Sequence, residues 1–167
     1  MMRALGVIAA AAAAITTTGP AFAAEPGSYW LLFANDDRLL LLDRNSIRWS
    51  GANPSVDWHV TFAVPYVTQA YGQTKYVQRQ IERSEYDCNG RIRAVSVVRS
   101  EISGQFISRE TSDGVWEQIR PNTLAEIAQD IVCKNDVSGS AEFTDLDATI
   151  ANFLSYNQRQ PPVVPPP

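Results

Sequence analysis

Tyr86-Asp87-Cys88-Asn89-Gly90-Arg91-Ile92-Arg93 carries the strongest short hairpin signal in this 167-residue chain. A two-residue type I′ loop needs φ > 0 at both central positions, and Asn followed by Gly accepts that at the lowest steric cost. The pattern predicts a long hairpin, residues 75–88 against 91–102, closed by Asn89-Gly90. Such a loop sets the register: Cys88 faces Arg91, Tyr86 faces Arg93, Ser84 faces Val95 and Glu82 faces Val97. Ile92, Ala94, Ile81 with Val98, and Val77 with Ile102 fall on the other side. Neither side is cleanly polar, whereas an antiparallel sheet with one wet face alternates clearly. Both faces of the hairpin are therefore expected to be partly covered.

Cys88 stands on the shoulder of that turn, and Cys133 is the only other cysteine. Two distant cysteines and a single histidine are too few ligands for a closed zinc site, and no C-x-x-C redox pair is present. One structural disulfide, Cys88–Cys133, is expected. Its loop of about 45 residues corresponds to about 4 kcal/mol at most by chain-entropy reasoning.

The oxidising compartment such a bond requires matches the start of the sequence. Arg3, an apolar Ala-rich run from Leu5 to Ile15, and Ala21-Phe22-Ala23 follow the scheme of a cleaved signal peptide, residues 1–23, with cleavage after Ala23. No cysteine near the cleavage site offers a lipid attachment point. No later stretch is long and apolar enough to cross a bilayer, so a periplasmic or secreted product is expected. The remaining length suits one domain with a modest core. A formal charge of −4 argues against a general nucleic-acid binder, which needs a dominant basic footprint.

Other strands are legible around the hairpin. Tyr29 to Ala34 and Arg38 to Asp43 are apolar runs separated by the turn residues Asn35-Asp36-Asp37, and Ile47 to Trp49 resumes extension after a bend. Val56, Trp58, Val60, Phe62 and Val64 alternate with Asp57, His59, Thr61 and Ala63, the period of a half-buried strand. Pro65 is expected to limit that strand, and residues 66–74 read as a polar connection. Residues 105–108 and 115–119 are short edge-strand candidates. Thr123 with Glu126 matches a capping box, and Leu124, Ile127, Ala128 and Ile131 make a helical stripe ending at Cys133. Residues 141–156 read as a second amphipathic helix, with Phe143, Leu146, Ile150, Phe153 and Leu154 on one side. Gln160 to Pro167 is Pro-rich and extended.

No catalytic or ligand-binding constellation is legible. His59 is the single imidazole, with Asp57 two residues away on the same strand face, yet no nucleophile elbow accompanies them. Asp36, Asp37 and Asp43 lack a calcium-loop pattern, and no metal or cofactor is expected. Glu82, Glu85, Glu101 and Glu110 read as cross-strand partners of the hairpin arginines rather than as a carboxylate pair for hydrolysis. The arginines are the more informative feature. Arg91, Arg93 and Arg99, with Tyr86 placed to stack on Arg93, form a candidate partner-binding patch, because Arg and Tyr are favoured in interfaces. The four tryptophans are ordinarily core residues.

The order of these features resembles a known family. Tyr29-Trp30, Asp43-Arg44-Asn45-Ser46-Ile47, Trp58, Tyr86-Asp87-Cys88, Trp116, Pro121 and Cys133 are similar in sequence order to the bacterial surface-adhesin protein E family and its exported relatives, over residues 29–134. The resemblance implies an antiparallel sheet curved around a helix and tied by a disulfide corresponding to Cys88–Cys133. It also implies binding to host matrix proteins such as vitronectin and laminin, and self-association. The absent lipobox cysteine departs from the lipoprotein pattern of the best-known member.

The expected architecture is therefore α+β. A curved antiparallel sheet of about six strands packs on a helix within a domain over residues 24–134, followed by a helix and a Pro-rich tail over 135–167. The expected function is an exported, non-enzymatic binding module of adhesin type for a matrix or envelope protein, with a homodimer as a further expectation. A periplasmic assembly protein and a small hydrolase are the competing readings.

Overall fold

The computed structural model describes residues 27–159; the leader reading of residues 1–23 and the Pro-rich segment 160–167 lie outside the described residues. The chain first forms β1 (Tyr29–Ala34), β2 (Arg38–Ser50), β3 (Asn53–Ala70), β4 (Gln73–Tyr86), β5 (Arg91–Ser100), β6 (Phe106–Thr111) and β7 (Glu117–Gln118). Then come α1 (Leu124–Lys134), β8 (Glu142–Phe143) and α2 (Leu146–Arg159). All strands join one antiparallel sheet of eight, ordered β6-β5-β4-β3-β2-β1-β8, with β7 beside β5. The sheet is larger than the six strands expected. β7 falls within the edge-strand candidate of residues 115–119, whereas β8 forms where a helix was expected, a two-residue pairing at the sheet margin too short for any periodicity to announce it.

Strand β2 shows why the sheet is covered on both faces. Leu39, Leu40, Leu41 and Leu42 are all buried. Side chains alternate along a strand, so Leu40 and Leu42 enter the cluster beneath α1 while Leu39 and Leu41 enter the cluster beneath α2. A continuous apolar run is the mark of a strand with no wet face. Trp30, Val56, Trp58, Val60 and Tyr86 join the α1 side, meeting Ala128, Ile131 and Val132. Full burial of each such side chain is worth about 1.5–3 kcal/mol.

Helix α1 starts where its capping residues require. The Thr123 hydroxyl accepts the Glu126 N–H, and the Glu126 carboxylate accepts the Asn122 N–H at 2.7 Å, one residue earlier than the reciprocal capping-box bond. Its buried stripe is Ala128, Gln129, Ile131 and Val132. Ile127, expected inside, is exposed. Helix α2 begins at Leu146 rather than 141, because Glu142 and Phe143 pair with β1 and Asp145 accepts the Ala148 N–H as a cap. Its expected apolar side is the one that packs: Leu146, Ile150, Phe153 and Leu154 belong to the second cluster, and Phe143 joins them from β8.

Strand β3 departs most from expectation. It runs straight through Pro65 to Ala70, with the pairing to β4 interrupted between Thr61 and Tyr66. Pro is tolerated there because an irregularity in the ladder asks no N–H of it. The stretch read as a polar connection is instead the far end of a hairpin. Ala70 pairs with Gln73, and Tyr71 and Gly72 between them have φ of 53° and 71°. The two positive φ values of a type I′ loop are thus found here and not at Asn89-Gly90.

At Asn89-Gly90 the loop is one residue longer. Strand β4 ends at Tyr86, Asp87 N–H donates to the Arg91 carbonyl, and Cys88 (φ 56°) and Gly90 (φ 99°) take the positive angles. The Asp87 carboxylate accepts the N–H groups of Asn89 and Arg91, an Asx arrangement that competes successfully with the two-residue loop. The register near the tip is consequently shifted by one: Tyr86 faces Ile92 and Glu85 faces Arg93. A bulge at Val95, between the Ser84–Ala94 and Arg83–Ser96 pairs, restores the expected register, and Glu82 faces Val97 as read from sequence. Cys88 and Cys133 form the disulfide, joining this tip to the end of α1.

Candidate functional site

The Val95 bulge decides where the hairpin arginines point. In an unbroken strand Arg91, Arg93 and Arg99 would share a face, since all are odd-numbered. The extra residue turns Arg99 to the opposite one. Arg93 bonds Glu85 at 2.6 Å on the side of the sheet facing away from α1. Arg99 instead donates to the Tyr66 hydroxyl at 3.1 Å and pairs with Glu110, on the side that also carries Trp58 and Glu82. Tyr86 is fully buried in the α1 cluster and does not stack on Arg93. The four residues expected to form one patch thus separate into a pair, a core residue and a distant cation.

The pair is built around Trp116. The Arg91 and Arg93 guanidinium groups lie 5.6 and 4.9 Å from its ring centre, within cation–π range. Arg91 also bonds the buried carboxylate of Asp87. Burial alone would raise that carboxyl, but the Arg91 guanidinium and the backbone N–H groups of Arg91 and Asn89 outweigh it and hold Asp87 below the usual carboxylate range. The positive charges here are locally neutralised by Glu85 and Asp87, as the cross-strand glutamates suggested. Arg83 and Arg79 are similarly committed, to Asp57 and Asp147.

His59 faces α2. Its Nε2 is 3.9 Å from the Asp43 carboxylate, and the Tyr29 ring packs on it edge-on at 5.5 Å. Asp57, expected to orient it, accepts from Nε and Nη2 of Arg83 at 2.7 and 2.8 Å. His59 lines a cavity of about 200 Å³ with Thr61, Arg79, Ile81 and Ile150. Among the described residues no group of three or more His, Cys, Asp or Glu side chains is placed to hold a metal.

A surface the sequence reading missed lies at the other end of β3 and β4. The neighbouring strands stop short: β2 pairs with β3 only as far as Phe62, and β5 with β4 only as far as Arg79. Residues 64–78 therefore project as a two-stranded ribbon with neither flank joined to another strand. Its root is anchored. Val77 is fully buried, Tyr66 packs edge-on against Phe62 at 5.1 Å, and the Tyr66 hydroxyl donates to Gln80. Beyond the root, Val64, Val67, Tyr71 and Tyr76 are all more than half exposed, Tyr71 at 84 %. Val67 faces Tyr76 directly, so the two make one apolar step on a single side. Lys75 is the only charged residue from 64 to 78. That low charge, with three tyrosines at 66, 71 and 76, was the available signal.

Fold and surface together define a disulfide-tied, mostly β module that presents an exposed ribbon from a two-sided core. The surface-adhesin protein E family model matches residues 30–134, and the chain belongs to that family. The match spans β1 to α1; β8 and α2 lie beyond it. Membership implies an exported or surface protein with an adhesin-like role. No curated protein and no solved structure matches the chain. Among the described residues no helix is long and apolar enough to cross a membrane.

Proposed function

We propose that the protein is an exported, non-enzymatic binding module, periplasmic or secreted, that engages a matrix or envelope protein through the ribbon of residues 64–78. The observation that carries this reading is the overhang. A two-stranded ribbon without flanking strands is marginal by itself, and its apolar side chains cost solvation while they remain in water. Both are offset when a partner covers them. Tyr side chains supply large contact area at low conformational cost, and a free strand flank can accept an added strand by main-chain pairing. The near absence of charge favours a partner whose contact surface is also uncharged.

The test is binding of the oxidised protein to immobilised vitronectin, laminin and purified envelope proteins. Tyr71→Ala combined with Tyr76→Ala is expected to weaken the interaction about tenfold or more, the loss typical of interface tyrosines, without lowering the melting temperature. Arg93→Ala is expected to leave it unchanged. Equal binding by the tyrosine variant, or loss on Arg93→Ala alone, would move the site to the Trp116 end of the sheet.

A further inference from the structure

A second apolar surface lies on the opposite side of the molecule from α1. Strands β1 and β8 and helix α2 enclose a groove of about 510 Å³, with Leu31 and Leu39 as its floor and Phe143, Phe153 and Tyr156 as aromatic walls. Asn152 and Tyr156, one helical turn apart, also line it. Among the described residues neither the Asn152 amide nor the Tyr156 hydroxyl has a hydrogen-bonding partner. Grooves walled by aromatic rings, with side-chain donors at the rim, are the sites that take polyproline II segments. The rings pack against prolines and the donors reach the carbonyl groups.

We propose that the occupant is the chain's own residues 160–167, Gln160-Pro161-Pro162-Val163-Val164-Pro165-Pro166-Pro167, folded back along α2. Three properties of the sequence and fold converge on this choice. The segment has no charged side chain and five prolines among residues 160–167, which suits an apolar, aromatic site. It starts beside the groove, because Tyr156 lies one turn before Arg159, where α2 ends, and Pro161 cannot continue that helix. Its length also fits. Eight residues of polyproline II reach about 25 Å, against about 21 Å for the 14-residue α2, so the segment can retrace the whole helix. Tethering then holds it near the groove at an effective concentration in the millimolar range, which a free Pro-rich peptide would have to match. This docking is independent of the ribbon, which projects from the far end of β3 and β4.

The test is nuclear magnetic resonance on the full chain in its oxidised form. Nuclear Overhauser contacts are expected between the Val163 or Val164 methyl groups and the rings of Phe153 or Tyr156. They should disappear in Tyr156→Ala, a position exposed enough to leave the fold intact. A second full-length variant, with residues 161–166 replaced by Gly and Ser, vacates the groove without touching the folded part. A synthetic peptide of residues 160–167 should shift the Phe143 and Phe153 resonances of that variant at concentrations at least about tenfold below those needed for the unmodified chain. Absence of the methyl–ring contacts would overturn the proposal. So would contacts that appear between differently labelled molecules in a mixed sample, because the occupant would then be a second copy.

Discussion

Strand β4 ends in two turns that differ in nearly every respect. At one end Tyr71-Gly72 closes a two-residue loop in open water, with Tyr71 84 % exposed. At the other, Cys88-Asn89-Gly90 closes a longer loop that is bonded to α1, braced by the Asp87 carboxylate, and seated above the fully buried Tyr86. The first turn is held by local conformation alone, the second by tertiary contacts. The two ends of one strand thereby differ in kind: the Cys88-Asn89-Gly90 turn is cross-linked and braced over buried Asp87 and Tyr86, and the exposed Tyr71-Gly72 turn contributes little to folding.

The sharpest way to break that contrast is to empty the anchored end. Tyr86→Ala should cost about 3–5 kcal/mol, the range for large aromatic core deletions, measured by urea unfolding. Tyr86→Phe should be neutral or stabilising. The Trp58 indole nitrogen and the Tyr86 hydroxyl are both buried and close enough to interact, but their geometry falls short of a hydrogen bond, so removing the hydroxyl relieves a poorly compensated group. A loss of more than about 1 kcal/mol in Tyr86→Phe would show that the hydroxyl has a partner.

Next comes the disulfide. Reducing it, or replacing Cys88 and Cys133 together by Ala, should lower stability by up to about 4 kcal/mol. The exchange of amide hydrogens should rise at the Asn89 tip and the α1 terminus, and not at Tyr71. Equal loosening at both turns would mean that the ribbon also depends on the staple.

Glycine substitutions measure the two turns directly. Gly72→Ala should cost about 1–2 kcal/mol, the conformational penalty for a Cβ at positive φ, since nothing lies within 4 Å of the added atom. Gly90→Ala should cost more. Its φ of 99° is further from any region an L-residue accepts, and the new Cβ would sit 2.9 Å from the Gln118 side chain, which donates to the Gly90 carbonyl.

The smallest effect is pH-dependent. Because the Asp87 carboxyl is held below its ordinary value in the folded state, its contribution is present above the normal carboxylate range, near pH 4. It is lost as pH falls through the folded value. The urea midpoint of the wild type should drop more steeply below about pH 4 than that of Asp87→Asn. Parallel profiles would locate the brace in the backbone rather than in the carboxylate.

Much of this was legible in the residues themselves. The alternation of Val56, Trp58 and Val60, the run Leu39 to Leu42, the Thr123 cap, and the apolar side of α2 from Leu146 to Leu154 are local patterns. Each is set by neighbours two to four positions away, and each appears in the fold as read. The hairpin arginines are split by a feature of the same scale: one bulged residue, Val95, reverses every β5 side chain beyond it and sends Arg99 to the face opposite Arg91 and Arg93. The preference of Asp87 for an Asx turn over the Asn89-Gly90 loop is what made that extra residue necessary.

By itself, then, the amino-acid sequence determined most of the strands and both helices, the pairing of two lone cysteines, and the family to which the chain belongs. Only the tertiary structure decided which tyrosine is buried and which is offered to solvent, which face each arginine takes, and that residues 64–78 stand clear of the sheet. Those outcomes depend on where neighbouring strands stop and on how registers slip between partners distant in sequence. A side-chain pattern has a period but no knowledge of its neighbour's length, so an overhang exists only once β2 and β5 have been laid beside β3 and β4.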